Sequence, residues 1–319
     1  MTKKHYQPVS RMEQPRYVGV NTFMKLPLVQ TTKDIDYAIV GVPDDTGDNF
    51  RPGARFGPQG IREQSAFVRP YHMTLGVNVV ETLSGVDYGD VNCIPGQIER
   101  NMKNAEDLLT PLAEAGVIPI CLGGDHSITL PQLRALAKVH GPLGLVHFDS
   151  HIDTWEDFFG HPYNNGTTLR RAHEEGILDT KRCISVGIKG TQYWHDDTHF
   201  SKELGIEVIT MDEFEEIGIK ETIRRIKAKV GTGKTFLTFD IDCVDPAYAP
   251  GGGVYEVNGF TSREVMGFLT NMKDIDFVGF DIAEVVPIYD PSGITGFLAA
   301  SIVHTYLALI ALEKLKKQK

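Results

Sequence analysis

Four short runs in the chain place acidic and histidine residues directly behind apolar, β-branched stretches. Val117–Leu122 leads into Gly123-Gly124-Asp125-His126-Ser127 and Leu143–Phe148 into Asp149-Ser150-His151-Ile152-Asp153. Phe236–Phe239 leads into Asp240-Ile241-Asp242, and Phe277–Phe280 into Asp281-Ile282-Ala283-Glu284. Alternate side chains of an extended backbone share one side, so Asp149, His151 and Asp153 face together, as do Asp240 and Asp242. Carboxylates spaced this closely repel unless a cation lies between them. His126, Asp149, His151, Asp153, Asp240 and Asp242 offer two imidazoles and four carboxylates, too many for one tetrahedral zinc. The set suits two divalent ions. Mixed oxygen and imidazole ligation favours manganese, with nickel, cobalt or iron as substitutes. A lone GGDHS run reads equally well as a turn with a capping Asp125, and a lone DxHxD or DxD as surface charge. Four such runs, each behind an apolar stretch, argue against coincidence.

The elements that must position these residues alternate along the chain. Strand-like runs also occur at Tyr37–Val42, Cys183–Ile188 and Glu207–Thr210, and segments of helical period at Ala105–Ala115, Leu130–Val139, Glu221–Val230 and Arg263–Met272. This alternation predicts an α/β fold of three layers, helices on both faces of a mostly parallel sheet. Such sheets bind ligands outside the carboxyl ends of their strands, where all four runs fall. From Asp36 onward nothing reads as a linker or repeat, so a single catalytic domain over 36–319 is expected behind an N-terminal arm, 1–35. A last helix is expected from Ala299 to about Lys317.

With 41% hydrophobic and 23% charged residues, the composition is that of a globular domain. The net charge of −10 argues against nucleic acid as partner and is compatible with a small cationic substrate. Cys93, Cys121, Cys183 and Cys243 show no CxxC spacing and read as free thiols. No signal-peptide core and no run of about 18 apolar residues is evident, so no membrane association is expected and a cytoplasmic location is.

The chain resembles the ureohydrolase family, which includes arginases, agmatinases and guanidinobutyrases. The resemblance rests on Arg51-Pro-Gly-Ala-Arg-Phe-Gly-Pro58, Gly123–Ser127, Phe148–Asp153, Thr238–Pro246 with Ala249-Pro250-Gly251, and Asp281–Glu284 followed by Gly293-Ile294-Thr295-Gly296. Pro15-Arg16-Tyr17 and Thr22–Pro27 resemble the agmatinase-like branch. The resemblance implies an arginase-like fold and two divalent metal ions held by His126, Asp149, His151, Asp153, Asp240 and Asp242. It further implies pairing of Glu284 with a substrate guanidinium, cleavage to urea and an amine, and a homo-oligomer, trimer or hexamer. Two metals lower the pKa of a shared water from 15.7 towards about 7, and Asp153 or Asp242 is then placed to take its proton.

Agmatine is the default substrate. Guanidinobutanoate, guanidine, substituted guanidines or biguanides are alternatives, as is a non-catalytic partner-subunit role. The sequence departs from the family at Asn165, where a histidine is usual; asparagine cannot titrate. His161 nearby is therefore a candidate proton carrier. Asp44, Asp45 and Asp48 form an acidic loop expected to meet an amine tail, with no spare Arg nearby for a carboxylate. Trp155 with Phe158 and Phe159, Tyr255, Glu256 and Asn258, and Trp194 with His195 are candidate contacts to the substrate.

Overall fold

The computed structural model describes residues 5–10 and 12–318; residues 1–4 and 11 of the expected arm lie outside these. Among the described residues there are ten strands: β1 Tyr37–Val42, β2 Tyr71–His72, β3 Val77–Asn78, β4 Gly85–Asp90, β5 Ile118–Gly123, β6 Leu143–Phe148, β7 Leu178–Ile188, β8 Glu207–Thr210, β9 Thr235–Asp240 and β10 Phe277–Ala283. β2 and β3 form a small antiparallel hairpin. The other eight form one sheet in the order β4-β1-β5-β10-β9-β6-β7-β8, and every pairing in it is parallel. Parallel strands covered on both faces read as unbroken apolar runs, and β1, β6, β9 and β10 are buried along their whole length.

Alternate residues of one strand enter different cores, which makes the third layer. Leu143 and Leu145 of β6 and Phe236 of β9 pack with Leu133 and Leu136 of the helix Thr129–His140. Val146, Phe148, Leu237 and Phe239 of the same strands join Phe214, Phe268 and Leu307 from the helices Met211–Val230, Ser262–Asn271 and Ile294–Lys317. Phe148 sits 5.3 Å from Phe239 and 5.2 Å from Phe268, centroid to centroid.

Two elements run further than their sequence pattern. The helix Met211–Val230 begins at a Thr210 cap and is interrupted at Gly218, whose φ is 68°; the break in period hid its first half. The last helix begins at Ile294 and contains an 18-residue window of mean hydropathy 1.8, long and apolar enough to cross a membrane, contrary to the sequence expectation. Of that window 83% is buried inside the fold, so its apolar character is accounted for by the core. Edge strand β4 was not foreseen. It carries Asp87 and Asp90, which Arg62 holds at 2.8 Å and 2.6 Å, and it starts at Gly85, where a Cβ would come within 2.1 Å of the Tyr37 ring. All four cysteines are free.

Candidate metal centre

The four central strands β5, β10, β9 and β6 are consecutive in the sheet, and each ends in one of the four chemical runs. Sheet order alone therefore delivers His126, Glu284, Asp240 with Asp242, and Asp149 with His151 and Asp153 to one place. Asp153 and Glu284 adopt left-handed backbone angles, φ 53° and 63°, which a non-glycine residue holds only when its surroundings enforce it.

A first group gathers around His126. Its Nδ1 lies 2.9 Å from Asp149 Oδ2, 3.0 Å from Asp153 Oδ2 and 3.1 Å from Asp240 Oδ2, and all four residues are buried. The tautomer follows from the hydrogen bonds behind it. Asp281 only accepts, so the Thr238 hydroxyl donates to its Oδ1 at 2.6 Å and Thr129 donates to its Oδ2 at 2.6 Å. Thr238 Oγ1 must then accept from His126 Nε2 at 2.7 Å. In the neutral ring this leaves a lone pair on Nδ1, which makes no hydrogen bond. A lone pair facing three carboxylate oxygens at about 3 Å is repulsive without a cation among them.

A second group shares Asp149 with the first. His151 Nδ1 lies 3.0 Å from Asp242 Oδ2 and 3.4 Å from Asp149 Oδ1, so the two oxygens of Asp149 face the two groups. The donor set is oxygen with imidazole, the ligand atoms of His126, Asp149 and Asp153 and those of Asp149, His151 and Asp242 lie close together, Asp240 joins the first at His126, and the two groups share one carboxylate. The residues fit a pair of divalent cations. The charge balance agrees. Burial and then Asp242 and Asp149 push the Asp240 carboxyl well above its ordinary range; burial and then Asp240, Asp48 and Asp125 do the same to Glu284. Burial alone would lower the His126 imidazole, yet Asp153, Asp149 and Asp240 raise it well above its usual value.

One residue in the cluster escaped sequence reasoning. His147 lies inside β6, where it reads as one more buried strand position. Its Nε2 reaches Asp149 Oδ2 at 2.8 Å while Ser185 Oγ meets its Nδ1 at 3.0 Å. Since Asp149 can only accept, His147 donates to it and orients it from behind.

A cavity of about 330 Å³ opens onto the cluster, with Trp155, Phe158, Asn165, Glu256 and Glu284 among its walls. Glu284 Oε1 accepts from the His126 backbone N–H at 2.9 Å and from Asn165 Nδ2 at 3.4 Å, while its Oε2 is buried without a partner. Trp155 packs edge-on against Phe158 and Tyr193. Several expected contacts fall elsewhere. His161 is half exposed, faces Glu99 at 3.5 Å and turns Nδ1 towards Tyr163, because the tight Phe158–His161 bridge carries it outward; it does not line the cavity. Tyr255 stacks on Arg51 instead of the cavity, with the guanidinium carbon 4.6 Å from the ring. Asp44 and Asp45 are spent on Asn101 and Thr46, and on Arg55 and the Gly53 N–H, so the acidic loop does not offer three carboxylates to an amine tail. Trp194 is exposed, beside Tyr193, and neither it nor His195 lines the cavity.

A buried, carboxylate-bridged pair of cation sites at the carboxyl edge of a parallel sheet defines a binuclear metal enzyme of the α/β class. Residues 35–308 match the arginase family model. The chain is 39% identical over 312 residues to the guanidinopropionase of Pseudomonas aeruginosa, covering 98% of both chains. It is 40% identical over 288 residues to the proclavaminate amidinohydrolase of Streptomyces clavuligerus, covering 90% of this chain and 92% of that one. A solved structure of proclavaminate amidinohydrolase from S. clavuligerus superposes with a TM-score of 0.90, at 39% identity, over 93% of this chain and 99% of that one. The chain belongs to the arginase family.

Proposed function

We propose that this chain hydrolyses the bond between the guanidino carbon and its alkyl-bearing nitrogen, with agmatine as substrate, giving urea and an amine. The observation that carries the reading is the pair of ligand groups sharing Asp149 beside the free, buried Oε2 of Glu284. Two divalent cations held there by His126, Asp149, His151, Asp153, Asp240 and Asp242 would supply Lewis acidity and a water acidic enough to ionise at neutral pH. Glu284 holds the guanidinium, orienting its carbon towards Asp149 and Asp242. Both hydrogens of the attacking water end on the leaving nitrogen, since guanidinium plus water gives urea plus alkylammonium. Asp153, whose Oδ2 is buried and unpartnered, or Asp242 takes the first of these protons and passes it on; His161 is too far out to share in this.

The tail assignment rests on which charges line the cavity. Among the described residues no Lys or Arg does. Arg51 gives Nε and Nη2 to the Gly253 and Gly252 carbonyls at 3.0 and 3.3 Å, and Lys189 is bound to Ser150 and the carbonyls of Asp242 and Cys243. A carboxylate tail therefore lacks a cation to meet it. An ammonium finds Glu256 and the aromatic faces of Phe50, Phe158 and Tyr193. A second reading, hydrolysis of a guanidino acid, is favoured by the names of relatives such as the guanidinopropionase and the guanidinobutyrase of the same organism, 38% identical. Manganese, with nickel as the substitute, is the proposed metal, and a cytoplasmic homotrimer or homohexamer the proposed assembly. Urea release from agmatine, guanidinobutanoate, arginine, guanidine and methylated guanidines, with manganese- or nickel-loaded enzyme, tests this. Agmatine is expected to be turned over fastest; preference for a guanidino acid would overturn the tail assignment, and silence with two ions bound the reaction itself.

A further inference from the structure

Among the described residues nine buried side-chain polar atoms have no hydrogen-bond partner, and six belong to this one region: Asp48 Oδ2, His126 Nδ1, Asp153 Oδ2, Trp155 Nε1, Asn165 Oδ1 and Glu284 Oε2. Unmade hydrogen bonds in the interior are costly, so their concentration marks a ligand. His126 and Asp153 belong to the cation sites. Glu284, Asp48 and Asn165 leave three acceptors that no cation ligand set uses.

Their placement is specific. Asp48 is the member of the acidic loop that keeps an oxygen free: its Oδ1 accepts from the Phe50 N–H at 3.2 Å and its Oδ2 has no partner. A methyl on Gly253 would lie 3.1 Å from the Arg51 carbonyl oxygen, 3.4 Å from Glu284 Oε2 and 3.5 Å from Asp48 Oδ2, so the two unpartnered oxygens border the same small gap beside Gly253. Asn165, 9% exposed, must point Nδ2 at Glu284, which as a carboxylate only accepts. Its Oδ1 is thereby left as a neutral acceptor beside the same carboxylate.

We propose that Asp48 and Asn165 complete, with Glu284, an acceptor cradle that reads N–H groups on both terminal nitrogens of the guanidinium, so that the enzyme takes guanidines carrying two unsubstituted NH2 groups. The inference rests on the guanidino reading of the site and deepens it. Acceptors arrayed around a planar cation discriminate by which nitrogens keep their hydrogens. An alkyl group on a terminal nitrogen removes a donor, leaves a buried carboxylate oxygen unpaired and occupies the Gly253 gap. A second alkyl on the already substituted nitrogen does neither.

Two isomers separate these cases at equal charge and size: N,N-dimethylguanidine keeps two NH2 groups, N,N′-dimethylguanidine only one. Calorimetric binding to the metal-loaded enzyme should favour the N,N isomer about 10- to 100-fold, the range for a lost charge-assisted hydrogen bond. Asp48→Asn and Asn165→Leu should each raise KM for the turned-over guanidine about 10-fold or more, with kcat changed much less. Both should keep two ions by elemental analysis and an unchanged melting temperature, and Asp48→Asn should narrow the isomer preference. Gly253→Ala approaches the gap from another side and should raise KM likewise. Equal binding of the isomers, or unchanged KM in both Asp48→Asn and Asn165→Leu while the wild type hydrolyses a guanidine, would overturn the cradle. Failure of the wild type to bind or hydrolyse any guanidine would instead overturn the function.

Discussion

Asp149 is the residue on which both cation sites depend, so Asp149→Asn should empty the centre, not halve it. Oδ2 faces His126 at 2.9 Å and Oδ1 faces His151 at 3.4 Å, whereas Asp153 belongs to the first group alone. A ligand at 1,000 times its Kd stabilises the folded state by about 4 kcal/mol. At about 2.1 cal/mol/K per residue, 319 residues have an unfolding entropy of about 0.7 kcal/mol/K. One kcal/mol then moves Tm by about 1.5 °C, each ion by about 6 °C and the pair by about 12 °C. Asp149→Asn should forfeit most of that rise. In the metal-free protein its amide NH2 also opposes one of the two donors that Asp149 satisfies, His147 Nε2–H or the His151 backbone N–H, which costs about 2 kcal/mol, or about 3 °C. Thermal unfolding with and without a chelator, beside elemental analysis, reads both terms. If the variant keeps two ions per chain and the full metal-dependent rise in Tm, the bridging role of Asp149 is wrong.

Two further outcomes follow from parts of the fold outside the ligand set. Arg51 lies between Tyr255 and Tyr289, 4.6 Å from each ring, and its fork holds the Gly252 and Gly253 carbonyls; lysine cannot reproduce a planar, stacked fork. Arg51→Lys should loosen this loop and raise KM several-fold with metal content unchanged, and an unaltered KM would show that the loop holds itself. His304 stacks on His72 at 5.5 Å, between the hairpin and the last helix, and its Nε2 reaches the Pro70 carbonyl. Burial and then His72 push His304 down to about 4 from an ordinary 6.5. The unfolded chain takes up that proton first, so stability is intact above about pH 6.5 and falls by about 1.4 kcal/mol per unit to about pH 4, about 3 kcal/mol in all. His304→Gln should flatten this slope in denaturant titrations at pH 7 and pH 5, and equal slopes in variant and wild type would refute it.

The ligand runs were legible because each follows an apolar strand, and a parallel sheet brings strand ends together whatever lies between them. Sheet order was not legible: nothing local says that β5, β10, β9 and β6 are neighbours. Equally hidden were His147 and Thr238, which sit within strands and look like packing, and the supporting place of Asp281, which lies inside β10 and holds Thr238 and Thr129. The acidic loop misled for a related reason. Asp44, Asp45 and Asp48 look alike in sequence, but Asn101 and Arg55 consume the first two through contacts the sequence does not announce, and the third keeps an unpartnered oxygen on the side of Gly253 and Glu284. His161 misled through proximity, because two residues after a turn bring a side chain outward as easily as inward.

A recurring local device explains why nearly every acid at this edge is aspartate. Asp48, Asp125, Asp149 and Asp240 each accept, with Oδ1, the backbone N–H two residues on: Phe50, Ser127, His151 and Asp242. This turn fixes the loop leaving the strand or its neighbour and fixes the carboxyl plane. The second oxygen is then directed, at no further conformational cost, towards Gly47 from Asp125, towards His126 from Asp149 and Asp240, and into the Gly253 gap from Asp48. A glutamate has an extra methylene and cannot close the same short turn while aiming its other oxygen alike. Glu284 is the exception. Its backbone N–H is tied to the Gly124 carbonyl, its φ is 63°, and its longer side chain reaches from β10 to the His126 N–H. The aspartates thus hold what is bound close to the backbone, and the glutamate reaches what lies beyond it.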